Sequence, residues 1–223
     1  MIPWEHLDTA TVPDDGGELR LMRRGAEYSI MSGSIELMNS RLSGSEAALA
    51  TLVCARVGPA ARLLIGGYGM GFTLRAALGA LGPQARVTVG ELVPQVVDWA
   101  RGPMAHLSAG CLEDARVSVV LGDVGLEIRA RAKAYDAIAL DVDNGPEGLS
   151  RKGNDALYDR AGLAAARRAL SPRGVLAVWS SAGSEAFTKR LTSAGFAVEV
   201  VPVRAGGGKR GARHVIWLAT NPG

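Results

Sequence analysis

The sequence predicts an α/β protein: a doubly wound, mostly parallel seven-stranded sheet that ends in an antiparallel hairpin, with a short β cap before it. Three observations predict it. From Arg62 onward, short apolar runs alternate with segments whose apolar residues recur at helical spacing, the pattern of a sheet covered by helices on both faces. The last two apolar runs have no helical segment between them, so they pair antiparallel. Polar residues collect where the runs end, which is where an open α/β sheet binds its ligand.

The length of 223 residues suits one such domain, residues 43–223, with 1–42 as an extension and cap. An apolar fraction of 48% against 21% charged residues can bury a full core. The net charge of +3 and pI near 9.1 permit an anionic partner without demanding one, and neither nucleic acid nor a membrane surface is expected. Cys54 and Cys111 lie far apart and read as buried apolar thiols without a disulfide. His6, His106 and His214 show no ligand spacing, so no metal is expected. Residues 1–8 lack the basic and apolar regions of a signal peptide, and no apolar run approaches the ~20 residues that span a bilayer. The expected location is cytoplasmic.

In chain order, residues 1–18 are polar and read as extended or loose around the turn signal Pro13–Gly17. Leu19–Met22, Tyr28–Met31 and Ser34–Leu37 form the cap, two or three short strands turning at Gly25 and Gly33. Ser43-Gly44-Ser45-Glu46 has the capping-box pattern and opens a helix to about Val57, stopped by Gly58-Pro59. Arg62–Gly66 is a buried strand, followed by a glycine turn and a helix over Phe72–Leu81. Arg86–Glu91 is the second strand, and Val93, Val96, Val97 and Ala100 share one face of the next helix. Val117–Leu121 and Ala137–Leu140 are the third and fourth strands. A loop from Val142 to Gly153 leads into a helix ending near Leu170, and Ser171–Gly174 turns into the fifth strand, Val175–Trp179. A helix over about 184–194 precedes the hairpin of Val198–Val201 and His214–Leu218, joined by the basic loop Gly206–Gly211. That loop reads as solvated.

The chemistry sits at the strand ends. Gly66-Gly67-Tyr68-Gly69-Met70-Gly71 joins strand to helix, where glycine lets the backbone approach a ligand and the helix N–H groups point outward. Its spacing is not the G-x-G-x-x-G of a dinucleotide site, which favours a mononucleoside such as an S-adenosyl compound. Glu91, twenty positions after Gly71, stands where a carboxylate accepts from ribose hydroxyls. Asp123, after Gly122, can accept from an adenine amino group while the Val124 amide reads the ring edge; a helix N-cap is its other, compatible reading. Asp141 closes the fourth strand and faces the ligand crevice. With Asp143, Asn144, Gly145 and Pro146 after it, it suggests a site for an amine or other donor-rich substrate. Tyr158 falls where a lid helix would cover the ligand, with core packing as its alternative; Trp179 could floor the pocket or belong to the core.

These stretches together resemble the spermidine/spermine synthase family, the polyamine aminopropyltransferases, within the class I S-adenosylmethionine-dependent fold. That family has G-G-G-D-G-G after a strand, then an acid–apolar–acid strand end, then G-D, then Y-D-x-I-x-x-D-x-x-D-P-x-G-P. Gly66–Gly71, Glu91-Leu92-Val93, Gly122-Asp123 and Tyr135–Pro146 correspond. The resemblance implies Glu91 on ribose, Asp123 on adenine and Asp141 as the base-like carboxylate, with Asp143 standing for the family's second aspartate. It implies S-adenosylmethionine or its decarboxylated form as co-substrate, a small amine as acceptor, and attack on a sulfonium-activated carbon. A homodimer is open to it. A small-molecule methyltransferase, an enzyme cyclising S-adenosylmethionine and a non-catalytic nucleoside-binding protein are the alternatives. Two departures stand out. The aspartate inside the glycine turn is missing, and Gly44-Ser45-Glu46 replaces the family's Y-H-E triplet. With that aspartate gone, and Arg75 or the turn amides free to take a carboxylate, S-adenosylmethionine is expected to bind at least as well as its decarboxylated form.

Overall fold

The structure, a computed structural model, describes residues 2–13, 17–142, 145–146, 152–206 and 211–223, with backbone alone at 152–154. Two sheets organise it. The N-terminal sheet is an antiparallel meander of β1 (Glu5–Thr11), β2 (Glu18–Arg24), β3 (Glu27–Ser32) and β4 (Ile35–Asn39) in that order. The seven-stranded sheet contains β5 (Arg62–Gly66), β6 (Arg86–Glu91), β7 (Val117–Leu121), β8 (Tyr135–Leu140), β9 (Leu170–Ser180), β10 (Ala197–Arg204) and β11 (Arg213–Thr220). Its order is β10-β11-β9-β8-β5-β6-β7, with the five central and edge strands β9 through β7 parallel and the β10–β11 hairpin antiparallel. This is the predicted fold class.

Between the strands run α1 (Gly44–Cys54), α2 (Phe72–Ala80), α3 (Pro94–Arg101), α4 (Ala105–Ser108), α5 (Val124–Arg129), α6 (Lys152–Tyr158), α7 (Arg160–Ala169) and α8 (Glu185–Ser193). Successive β5 side chains point to opposite faces, so Leu63 and Ile65 enter one core and Leu64 the other. The first core also takes Leu21 and Ile30 from the N-terminal sheet, which therefore packs directly onto the parallel sheet's helices. Cys54 and Cys111 are both buried and unpaired. Among the described residues no helix is long and apolar enough to cross a membrane.

Several local readings need correcting. Of the segment read as extended or loose, residues 5–11 are extended and paired: β1 pairs with β2 from Glu5↔Arg23 to Thr11↔Glu18, and Val12 N–H donates to the Gly17 carbonyl at 2.7 Å. Its segment offers too few apolar residues to look like a strand; the ladder and the Trp99 indole, which donates to Asp8 at 2.7 Å, hold it. The capping box before α1 does not form. Ser43 makes no side-chain cap, and Ser45 Oγ turns inward to Glu46 Oε2 at 2.7 Å because α1 docks on the hairpin, its Gly44 N–H reaching the Ala205 carbonyl. The helix then ends at Cys54, before Val57. The helix running toward Leu170 is two, divided where Asp159 caps α7 by accepting from Gly162 N–H. Ser171–Gly174 is a bulge inside β9, with Arg173 at φ +66° and the register stepping from Tyr135↔Leu170 to Ala137↔Val175.

Candidate active site

The sheet's direction reverses at β5, whose neighbours are β6 on one side and β8 on the other, so a crevice opens beyond its carboxyl end. Gly67 makes the first turn there at φ +83°. A Cβ at that position would lie 2.5 Å from the Asp141 carbonyl oxygen, so the approach of the two strand ends requires glycine. Gly67 N–H donates to Gly90 and Asp141 N–H to Gly66, locking the three strand ends together at 2.8 and 2.9 Å. Gly71 (φ +79°) then caps α2.

Two cavities adjoin this turn. The larger, about 220 Å³, is floored by Gly67, Gly69, Glu91, Leu92, Gly122, Asp123, Val124 and Asp141. Its roof is the N-terminal sheet and its flanks, with Val12, Leu19, Ile30 and Met38. Glu91 is not a solvated strand-end residue: it is 7% exposed, and its two oxygens accept from Tyr68 N–H and Val93 N–H at 2.8 Å each. Burial pushes its pKa up and backbone N–H donors oppose that. The donors acting on it are the N–H groups of Val93, Tyr68, Gly69 and Leu92. Asp123 caps α5, accepting from Gly125 N–H at 2.7 Å and from Arg129 at 3.2 Å, and remains part of the cavity wall.

The smaller cavity, about 80 Å³, is lined by Glu46, Tyr68, Met70, Phe72, Asp141 and Trp179, and shares Leu37, Met38, Gly69 and Asp141 with the larger. Asp141 thus stands in the wall common to both. It lies deep, with its accessible surface facing the cavities, and its pKa is pushed up to about 7. Burial is the main cause and the neighbouring Glu46 charge the second, while Thr73 Oγ1, donating to Oδ2 at 2.6 Å, works against them. Burial also raises Glu46, against the Ser45 donation. Among the described residues the indole N–H of Trp179 is buried without a partner.

The structure therefore brings Gly67, Gly69, Glu91, Leu92, Gly122, Asp123, Val124 and Asp141 around one crevice, while Gly66, the last residue of β5, is buried against Leu140 and Val124 behind it. Tyr68 belongs to its smaller branch. Gly71 supports the turn from behind, packed against the Tyr68 ring and Ser108. Tyr158 lies elsewhere: it is 2% exposed in the second core, edge-on to Phe187 at 5.6 Å. Asp143 and Asn144 lie outside the described residues. Arg75 points away, donating to the Leu107 carbonyl at 2.6 Å with its guanidinium over Phe72. Residue-by-residue reading left out Glu46 and the roof residue Met38. Glu46 had a signal, being the last member of the altered triplet; Met38 had none, because the roof comes from another sheet. No three His, Cys, Asp or Glu side chains among the described residues could hold a metal ion.

Comparison with known proteins agrees with this geometry. The family model for the spermine/spermidine synthase domain matches residues 46–192. Polyamine aminopropyltransferases of Mycobacterium tuberculosis and Mycobacterium bovis are 34% identical over 161 residues, 66% of this chain. The chain spans 29% of the length of those relatives. A spermidine synthase crystallised with the transition-state analogue AdoDATO superposes with a TM-score of 0.79 at 17% identity, over 97% of this chain and 73% of that one. The spermidine synthase of Thermotoga maritima gives 0.72 at 16% identity, over 97% and 72%.

Proposed function

Since the chain belongs to the spermine/spermidine synthase domain family, we propose that it moves an aminopropyl-type group from a sulfonium nucleoside to a small amine. The observation that carries this is Asp141 in the wall shared by two cavities, one suited to a nucleoside and the other to a cation. The larger cavity offers Glu91 for ribose hydroxyls, Asp123 and the Val124 amide for the base, and a glycine turn flat enough for close approach. The smaller offers two carboxylates, Glu46 and Asp141, among Tyr68, Phe72 and Trp179, a setting that favours an ammonium.

The chemistry asks for alignment and a base. Holding nucleophile and sulfonium carbon in line supplies most of the acceleration. An amine of pKa near 10 must also lose a proton, which costs roughly 4 kcal/mol at pH 7. Asp141, with a pKa of about 7, is matched to take that proton. The expectation that intact S-adenosylmethionine binds at least as well keeps only the turn amides as support. Arg75 is committed elsewhere, and Glu46 supplies an acid beside Asp141 that would repel the extra carboxylate. The decarboxylated form is the better fit.

The test is to incubate the protein with each sulfonium nucleoside, with and without a short diamine, and to identify products by mass spectrometry. Methylthioadenosine with an alkylated amine, formed faster from the decarboxylated compound, is the expected result. S-adenosylhomocysteine would assign methyl transfer instead, and methylthioadenosine without alkylated amine would assign cyclisation.

A further inference from the structure

Amine alkylation leaves a proton behind. As the C–N bond forms and the C–S bond breaks, the thioether keeps the sulfur electron pair, and R–NH3+ becomes R–NH2+–R′ with one proton released. Asp141 receives it deep in the protein, beside a second acid whose charge it already feels. A base so placed turns over again only if the proton moves on.

A chain of polar side chains leads away from it. Glu46 lines the same small cavity. Ser45 Oγ lies 2.7 Å from Glu46 Oε2, and His214 Nδ1 lies 3.0 Å from Ser45 Oγ. Ser45, in the first turn of α1, is 0% exposed, and its hydroxyl bridges these two groups. His214, half-buried at the start of β11, stands edge-on to Trp179 with ring centroids 4.8 Å apart, and the residues just before it, Gly211, Ala212 and Arg213, are exposed. We propose that Ser45 and His214 form a proton relay joining the Glu46–Asp141 pair to solvent, with both acting as positioning residues through Glu46. This rests on the transfer reading above.

The steps balance. Asp141 first passes its proton to an ionised Glu46 across the small cavity that both line; protonated Glu46 then donates to Ser45, and Ser45 donates to an unprotonated Nδ1. Shifting both protons one place outward leaves Glu46 ionised and the ring an imidazolium, which then gives a proton to solvent. The groups facing the ring suit that task. Ser45 approaches from α1, with Glu46 behind it, Trp179 from β9 and Val203 from β10, where Arg204 is occupied by the Gly211 carbonyl at 3.1 Å. Burial holds the imidazole below its ordinary pKa, so the ring is neutral near pH 7 and releases a captured proton readily.

The test uses His214→Gln, whose amide can still bond Ser45 but cannot carry a proton. The relay predicts a fall in kcat of about tenfold with both KM values within twofold, and recovery of kcat as imidazole buffer is raised, which leaves the wild type unaffected. Unchanged kcat, or a loss that buffer does not restore, overturns it. A second readout needs no turnover: NMR titration of the His214 ring in wild type and Glu46→Gln. The relay predicts a shift of at least half a pH unit, and an unchanged midpoint overturns it. A wild type that alkylates no amine defeats the transfer reading alone, and the titration still decides whether Glu46 and His214 are coupled through Ser45.

Discussion

Replacing Asp141 by asparagine should make the protein more stable and less active at once. The asparagine carbonyl can still accept from Thr73, so shape and hydrogen bond are kept while the charge goes. In the folded wild type the Asp141 pKa is raised from 3.8 to about 7. The unfolded chain therefore binds fewer protons than the folded one between those values, and stability falls as pH rises through them. The full shift corresponds to roughly 4 kcal/mol, of which about 2–3 kcal/mol is lost between pH 5 and pH 8. Urea denaturation of both proteins at those two pH values measures this. The advantage of Asp141→Asn over wild type should grow by about 2–3 kcal/mol from pH 5 to pH 8, since carboxylates other than Asp141 and the Glu46 coupled to it titrate alike in both. Turnover should fall about 10²–10⁴-fold, the usual range for a lost general base. A stability difference that is the same at both pH values would refute the account of a carboxyl held neutral by burial and Glu46.

Glu91→Ala strands two backbone donors, Tyr68 N–H and Val93 N–H, and should cost roughly 2–4 kcal/mol in denaturant unfolding, with methylthioadenosine affinity by calorimetry weaker by about 2–3 kcal/mol. Gly67→Ala forces φ +83° on a residue whose Cβ meets a backbone oxygen at 2.5 Å; it should lose roughly 2–4 kcal/mol of stability and most nucleoside binding. Tyr158→Phe, in the second core, should leave the KM for the amine within about twofold in steady-state kinetics, as a residue remote from both cavities must.

The parts of the fold legible in the sequence are those whose cause is local. β5, β6 and β7 announce themselves as apolar runs with β-branched residues, and their observed bounds are those read from the chain. The glycines at 67, 69 and 71 mark left-handed backbone that other residues rarely adopt. Glu91, Asp123 and Asp141 followed from a rule about strand ends, which needs only strand positions and topology. What the chain concealed depends on partners distant in sequence. β1 is a strand because β2 supplies its ladder, and Ser45 bridges Glu46 to a His214 that arrives from the other end of the chain. Tyr158 points into a core that Phe187 completes, although its position suggested a lid. Asp141 acquires a pKa of about 7 only when folding removes water and sets Glu46 beside it. Strand and turn are properties of a few consecutive residues, so the sequence determines them by itself. Burial and electrostatic coupling arise when separate segments meet, so only the tertiary structure decides them.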